Sequence, residues 1–188
     1  MAIARGADKW KMKKWFSVYA PKVFNDALVG EMPANDEKAA IGRNIIVSLD
    51  YITHNPSHAY TNVILKVSDV NGESAHTKLV GMELLNSYIR SFVRRYKSVS
   101  SVVVPVVTKD NVSLVAKVMA ITKMRTARTK IVGVRKDMIA YTAKYFSEND
   151  LDAAVNSIME GKFQAELASS LRHITDLQKV EVRKLEIK

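Results

Sequence analysis

The sequence predicts an α+β protein, with a mostly antiparallel β-sheet or barrel-like core, flanking helices and a basic N-terminal arm. Apolar and polar residues alternate in runs through the centre of the chain, and an Asn71-Gly72 dipeptide follows one of these runs. In the last third, apolar residues recur instead at spacings of three and four. The length of 188 residues suits one domain over residues 15–188, preceded by the arm at residues 1–14.

The first forty residues are expected to hold little regular structure. Residues 1–14 lack a hydrophobic period, and we expect them to become ordered only when a partner binds them. A short extended segment begins at Trp15 and stops at Pro21. Residues 25–42 are rich in Gly, Pro, Asn and acidic residues, a composition typical of a loop.

The centre of the chain predicts antiparallel strands at residues 43–53 and 60–70. The apolar face of the second strand is expected to consist of Val63, Leu65 and Val67. The Asn71-Gly72 dipeptide then predicts a type I′ hairpin turn, because both residues tolerate a positive φ. The return strand is expected at residues 77–80.

Residues 81–97 predict the clearest helix of the protein. Its apolar stripe has helical spacing and consists of Leu84, Leu85, Tyr88, Ile89, Phe92, Val93 and Tyr96. We expect this stripe to face the core, with Leu85, Ile89 and Phe92 buried. The cationic residues of the same segment would then point outward.

The rest of the chain predicts two strands, three helices and a final strand. The strands cover residues 100–108 and 112–121, and the helices residues 134–146, 151–161 and 163–174. The last eleven residues alternate like a strand, with Val180 and Val182 on one face. The alternation slips before Leu185, which indicates a β-bulge.

The charge balance points to a polyanionic partner. The chain has 29 Lys and Arg against 19 Asp and Glu, a net charge of +10, which favours nucleic acid or an anionic membrane surface. No run of about 18 apolar residues could span a membrane, and the N-terminus has no apolar region of a secretory signal. The absence of cysteine excludes disulfides and thiolate metal sites. We therefore expect a cytoplasmic nucleic-acid-binding protein.

The densest candidate RNA-binding segment runs from Thr122 to Lys136 and contains no acidic residue. Its cations are Lys123, Arg125, Arg128, Lys130, Arg135 and Lys136. Such a density suits several phosphates at once, since each contact releases counterions, and the hydroxyls of Thr122, Thr126 and Thr129 could add donors. The alternative is a solvated connection that happens to be basic.

Two further groups of cations are candidates for RNA contact. The arm carries Lys9, Lys11, Lys13 and Lys14, interleaved with Trp10, Met12 and Trp15. The predicted helix at residues 81–97 carries Arg90, Arg94, Arg95 and Lys97. Trp15 and Phe16 are expected to be core anchors, so that only the lysines of the arm face outward. The alternatives are that the arm is an amphipathic membrane segment and that the helix cations are merely solvated.

The sequence carries no catalytic signature, and we predict neither an enzyme nor a bound metal or cofactor. It has no Gly-rich phosphate loop, no G-x-S-x-G and no HExxH. His54 and His58 are four residues apart, but Asn55-Pro56 between them breaks any helix that could align both rings. They are therefore interpreted as loop histidines.

Six segments, in order along the chain, resemble a known family. They are KKWFSVYAPKVFN, IGRNIIVSLDYI, LKVSDVNGESAHTKLVGMELLNSYIRSFVRRY, VVTKDNVSLVAKV, GVRKDM and VEVRKLEIK. They are similar to the small-subunit ribosomal proteins shared by archaea and eukaryotes, the S-three-A-e (or e-S-one) family. The chain lacks the long basic extensions of eukaryotic members, which favours an archaeal one.

The resemblance implies a structural protein of the small ribosomal subunit in the cytoplasm. It implies a β-rich core bound to small-subunit rRNA on the platform, near the mRNA exit and the 3′ end of that RNA. Neighbouring platform proteins, and mRNA near the exit site, are the other partners it implies. The alternative is a free single-stranded RNA-binding or RNA-chaperone module outside the ribosome.

Overall fold

A computed structural model describes Trp10 and residues 13–188 of the chain. This part contains one mixed sheet of eight strands, flanked by helices. The strands are β1 (Lys14–Tyr19), β2 (Leu28–Ala34), β3 (Asn44–Ser48), β4 (Thr61–Asn71), β5 (Ser74–Leu84), β6 (Val99–Val107), β7 (Ser113–Thr122) and β8 (Leu177–Ile187). The α-helices are α1 (Glu37–Ala40), α2 (Leu49–Thr53), α3 (Asn86–Phe92), α4 (Arg128–Glu148), α5 (Leu151–Met159) and α6 (Lys162–Leu171). Two short 3₁₀ turns cover Lys22–Phe24 and Pro56–His58.

The sheet forks at β5. One edge of this strand pairs along its whole length with β4, which in turn pairs with β3. The other edge is shared: its first residues, 74–76, pair in parallel with β1, and residues 81–83 pair antiparallel with β8. Beyond β1 lies β2, and beyond β8 lie β7 and β6. The two branches of the sheet are thus joined across β5 and β8 by three residue pairs.

The sheet does not close into a barrel, so the barrel-like alternative is wrong. The fork at β5 gives the sheet two branches instead of one continuous ribbon. Among the described strands, β2, β3 and β6 each pair on one edge only. On the β6 edge, Val103 and Val107 are exposed, and Pro105 stands in the middle of the strand. The α+β class and the dominance of antiparallel pairing are confirmed.

Helices α4, α5 and α6 pack together beside the branch formed by β8, β7 and β6. Their buried side chains are spaced as the sequence predicts: Val134 and Met138 on α4, and Phe163, Leu167 and Leu171 on α6, are at most 1% exposed. The predicted bulge in the last strand is confirmed, because the pairing with β7 skips Arg183 between Lys184 and Val182.

The central hairpin is confirmed, but its turn type is not the expected one. Val63, Leu65 and Val67 are buried as predicted. The hairpin closes at the pair Asn71 and Ser74, and of the two residues between them only Gly72 has a positive φ, of 60°. A positive φ at the first central position alone corresponds to a type II′ turn, which needs Gly there and leaves Asn71 in the strand.

Three elements within residues 25–53 differ from the prediction, namely β2, the short helix α1 and α2. Residues 25–42 are not all loop, since β2 pairs with β1 over six residues and buries Val29, Met32 and Ala34. Pro33 is tolerated because β2 is an edge strand. The expected strand at 43–53 ends at Ser48. Helix α2 follows, because Leu49 and Ile52, three residues apart, both enter the core.

The predicted helix at residues 81–97 is wrong for most of its length. Strand β5 continues to Leu84, and residues 81–83 pair with both β4 and β8. Helix α3 has seven residues and no buried side chain. The apolar stripe lies at the surface: Leu85, Ile89 and Phe92 are half-buried, and Val93 and Tyr96 are exposed. Extended pairing on both edges overrides the helical period of this segment.

Candidate nucleic-acid interface

The basic segment leaves the sheet at Thr122 and enters α4 at Arg128. Its connection is fixed by threonine hydroxyls that bond within the protein. The Thr122 hydroxyl donates to the carbonyl of Met124 (2.6 Å), and the Thr126 hydroxyl donates to the same carbonyl (3.1 Å). Thr122 is 3% exposed, so its expected contact with phosphate is wrong: this side chain shapes the loop that presents the cations.

All six cations of the segment are exposed, namely Lys123, Arg125, Arg128, Lys130, Arg135 and Lys136. The last four stand on the first turns of α4. The first turn of this helix has no acidic residue, and its N-cap, Ala127, offers no side-chain acceptor. The positive end of the helix dipole therefore lies beside Arg128 and Lys130, an arrangement that is unfavourable by itself and that a bound anion would relieve.

Hydrogen bonds of Ser98 bring the cations of the α3 region next to the basic segment that leaves the sheet at Thr122. Its backbone N–H donates to the Thr122 hydroxyl (2.9 Å), and its own hydroxyl accepts from the Thr126 N–H (3.1 Å). Ser98 directly follows Lys97, so the two basic groups meet at this end of the sheet. We call their cations together the basic surface: Arg90, Arg94, Arg95, Lys97, Lys123, Arg125, Arg128, Lys130, Arg135 and Lys136.

The arm lysines are not part of this surface. Lys14 begins β1, which runs parallel to β5 from the pair of Ser17 with Ser74. The basic surface lies at the opposite end of β5, ten residues or about 30 Å further along the strand. Lys13 lies over the Trp10 ring, 4.1 Å from its centroid. The other two arm lysines, Lys9 and Lys11, lie outside the described residues.

The tryptophan expected to anchor the arm does not do so. Trp15 is 54% exposed, whereas Phe16 next to it is buried. The alternation of β1 places them on opposite faces of the sheet. The predicted core anchor is therefore confirmed for Phe16 and wrong for Trp15.

The ion pairs of the described chain involve other cations than those of the basic surface. The ion pairs that the structure contains in this part use Lys109, Lys117, Lys144, Lys162, Lys179, Lys184 and His173. Lys184 and Lys117 together lower the pKa of Glu186 by hydrogen bonding to its carboxylate. Among residues 13–188, no cation of the basic surface forms an ion pair. The positive charge of this surface is therefore not neutralised within the described chain.

An aromatic cluster that the sequence pattern did not predict lies beside the basic surface. Tyr88 stacks on Tyr60 with ring centroids 4.5 Å apart and meets the edge of Phe92 at the same distance. The ammonium of Lys179 lies over both Tyr88 and Phe92, and it donates to the Tyr88 hydroxyl (2.5 Å). The signal in the sequence was the interleaving of aromatic and cationic residues in YIRSFVRRYK, which was interpreted as a core stripe.

A cavity of about 530 Å³ lies between this cluster and α5 and α6. Three carboxylates line it, and each pairs with a lysine: Glu83 with Lys184, Glu160 with Lys162, and Glu181 with Lys179. In the described part of the chain, no group of three or more His, Asp or Glu side chains could hold a metal ion. His54 caps α2, and the His58 Nδ1 lies 2.9 Å from the Thr53 hydroxyl.

No helix among the described residues is long and apolar enough to cross a membrane.

The chain is similar to ribosomal proteins over nearly its whole length. The model of the Ribosomal S3Ae family matches residues 2–188. The small ribosomal subunit protein eS1 of Sulfolobus acidocaldarius is 36% identical over 181 residues, covering 96% of this chain and 92% of the relative. The proteins of the same name from Sulfurisphaera tokodaii and Pyrobaculum islandicum are each 35% identical over 180 residues, covering 96% of this chain and 93% and 81% of the relatives.

Proposed function

Because the chain belongs to the Ribosomal S3Ae family, we propose that it is a structural constituent of the small ribosomal subunit that binds small-subunit rRNA through the basic surface. It is not an enzyme, since the family is one of structural ribosomal proteins. It acts in the cytoplasm, within the subunit, with rRNA and other subunit proteins as partners. Following the family resemblance, we further propose that the protein lies on the platform of the subunit, near the mRNA exit and the 3′ end of the rRNA, where it also contacts mRNA.

The observation that carries this proposal is the unneutralised charge of the basic surface. Lys117 and Lys184 pair with carboxylates, whereas none of the ten cations of the basic surface does so within residues 13–188. Their mutual repulsion is tolerable only when counterions or phosphates neutralise them. Several phosphates bound at once release their counterions together, which is the main source of protein–RNA affinity.

The arm is proposed as a second, separate contact. Lys13 and Lys14 stand at the far end of β5 from the basic surface, so one short stretch of RNA backbone cannot reach both. Two contacts at opposite ends of the sheet suit a protein that holds separate rRNA segments in place. The division of the chain into an arm at residues 1–14 and a domain at residues 15–188 belongs to the same proposal.

Replacing Arg125, Arg128 and Lys130 with Ala tests the proposal. The affinity for small-subunit rRNA is measured over a range of salt concentrations. Loss of three phosphate contacts should flatten the log–log salt dependence by about two to three units. The variant should also leave small subunits more readily during sedimentation in high-salt sucrose gradients.

A matched control removes the same charge elsewhere. Lys109, Lys144 and Lys162 are exposed and pair with Asp150, Glu148 and Glu160. Replacing these three with Ala lowers the net charge equally but should leave the slope nearly unchanged. Equal slopes for the wild type and the Arg125/Arg128/Lys130 variant would mean that the basic segment does not meet phosphates.

A further inference from the structure

Tyr96 is the most exposed large apolar side chain that the structure describes, at 83% exposure. It lies in the connection from α3 to β6, between Arg95 and Lys97. Its ring packs on none of the described aromatic rings, unlike those of Tyr60 and Tyr88, which stack on each other. The largest side chain of this connection therefore projects into solvent from the middle of the basic surface.

The backbone at Tyr96 is in the left-handed region, with φ of 64°. A side chain with a Cβ adopts this conformation at a cost, and glycine or asparagine are the usual residues where a chain must turn this way. Strained residues of this kind concentrate at ligand-binding sites. A glycine would make the turn without strain, so the tyrosine at this position is better explained by what its ring contacts than by the turn itself.

The charges around Tyr96 select an anionic ligand. Arg94, Arg95 and Lys97 surround it in sequence, and none of them forms an ion pair within the described chain. The Arg94 Nε–H donates to the Ser91 carbonyl (3.1 Å), which directs that guanidinium back along α3. The Ser98 hydrogen bonds hold Lys97 beside the loop of Lys123 and Arg125.

We propose that the Tyr96 ring stacks on an unpaired base of single-stranded RNA, while the neighbouring cations bind the phosphates on either side of that base. The inference rests on the proposed rRNA binding and names the form of RNA bound at this part of the basic surface. An exposed aromatic ring among cations has the two properties that single-stranded binding needs, a stacking face and a neutralising charge. A duplex would offer Tyr96 only phosphates and groove edges, because its bases are stacked on one another.

The experiment compares four forms of the full chain on two probes by fluorescence anisotropy. The probes are an unstructured 12-nucleotide RNA and an RNA duplex with the same number of phosphates. The forms are the wild type, Tyr96→Phe, Tyr96→Leu and, as a matched control, Tyr51→Leu. Tyr51 is also an exposed tyrosine, at 59%, but it stands on α2 beside Asp50, and residues 47–55 contain no lysine or arginine.

Tyr96→Leu should weaken binding of the single-stranded probe about five- to 150-fold and leave duplex binding unchanged. Tyr96→Phe keeps the ring and should bind like the wild type, as should Tyr51→Leu. A single-stranded probe without bases should bind the wild type and Tyr96→Leu equally, because no stacking is then possible. Equal thermal midpoints for all four forms, expected for exposed positions, would exclude loss of fold as the cause.

Undiminished binding of the single-stranded probe by Tyr96→Leu would overturn the inference, and it is the result expected if the ring instead contacts a neighbouring protein. The proposed rRNA binding would survive that result, since the Arg125/Arg128/Lys130 variant tests it separately. If the wild type bound neither probe nor rRNA, both proposals would fall together.

Discussion

Gly81 controls the junction between the two branches of the sheet. It pairs with Ile64 of β4 on one side and with Glu186 of β8 on the other. A Cβ atom built on Gly81 would lie 2.3 Å from the backbone oxygen of Leu185. The ordinary C···O contact is about 3.3–3.6 Å, so Gly81→Ala must push β8 away by about 1 Å.

This displacement occurs where only three residue pairs join the branches. Two or three backbone hydrogen bonds would be lost or strained, each worth about 0.5–1.5 kcal/mol. The obstructing atom belongs to the backbone and cannot rotate away, as a side chain could. We therefore expect Gly81→Ala to lower the free energy of unfolding by about 2–4 kcal/mol.

Gly133→Ala is the matched control. A Cβ at this position on α4 would meet only the Ile174 side chain, at 3.7 and 3.8 Å, which is ordinary van der Waals contact. Alanine in a helix is favoured over glycine, so this variant should gain about 0.5–1 kcal/mol. Urea unfolding of both variants and the wild type measures the differences. A Gly81→Ala protein as stable as Gly133→Ala would refute the reasoning from the β5–β8 junction.

Two further predictions concern α3 and α4. Because Phe92 is half-buried on a surface helix, Phe92→Ala should lower the free energy of unfolding by about 1 kcal/mol. Phe163 is in the core at 0% exposure, and Phe163→Ala should lower it by about 3–5 kcal/mol in the same urea assay. Equal losses for the two variants would mean that Phe92 is a core residue. Burial, and then the hydrogen bond to Glu166, raises the pKa of Tyr141 from 10.0 to about 12. The stability that this shift contributes is complete below pH 10 and is lost as pH rises through 12. The thermal midpoint of Tyr141→Phe should therefore fall less than that of the wild type over this range, and parallel declines would contradict the assignment.

The sequence predicted the elements whose pairing and burial agree with their local pattern. Val63, Leu65 and Val67 alternate and are buried, and Phe163, Leu167 and Leu171 recur at spacing four and are buried. The bulge near Leu185 was also predictable, because the shift in the alternation places the apolar side chain of Leu185 on the buried face. In these segments one period describes both local conformation and tertiary burial.

The failures occur where tertiary pairing overrides the local pattern. Residues 81–84 were assigned to a helix, but β4 pairs with all four and β8 pairs with the first three, so they must be extended. Gly30 and Pro33 suggest a loop, yet an edge strand accommodates both. No pattern within β5 alone could reveal that a strand distant in sequence would pair with its last residues.

The candidate site was partly predictable for the same reason. Charge density marked the segment from Lys123 to Lys136, and all of its cations are exposed. What composition could not show was that Ser98 joins this segment to the α3 cations, since that depends on hydrogen bonds between residues 24 and 28 positions apart. The exposure of Tyr96 was hidden by its apparent place in a buried stripe.

Among the described strands β6 pairs with β7 alone, and its other edge has a consequence for the protein before it joins a partner. Its sequence from Val102 to Val107 is VVVPVV, which without the proline would be the type of segment that pairs with identical strands of other molecules. Pro105 carries no backbone N–H, so a second copy cannot form a complete ladder along this edge. Without this proline, the β6 strands of two unassembled chains could pair along their outer edges. Pro105 thus opposes this mode of association between unassembled chains.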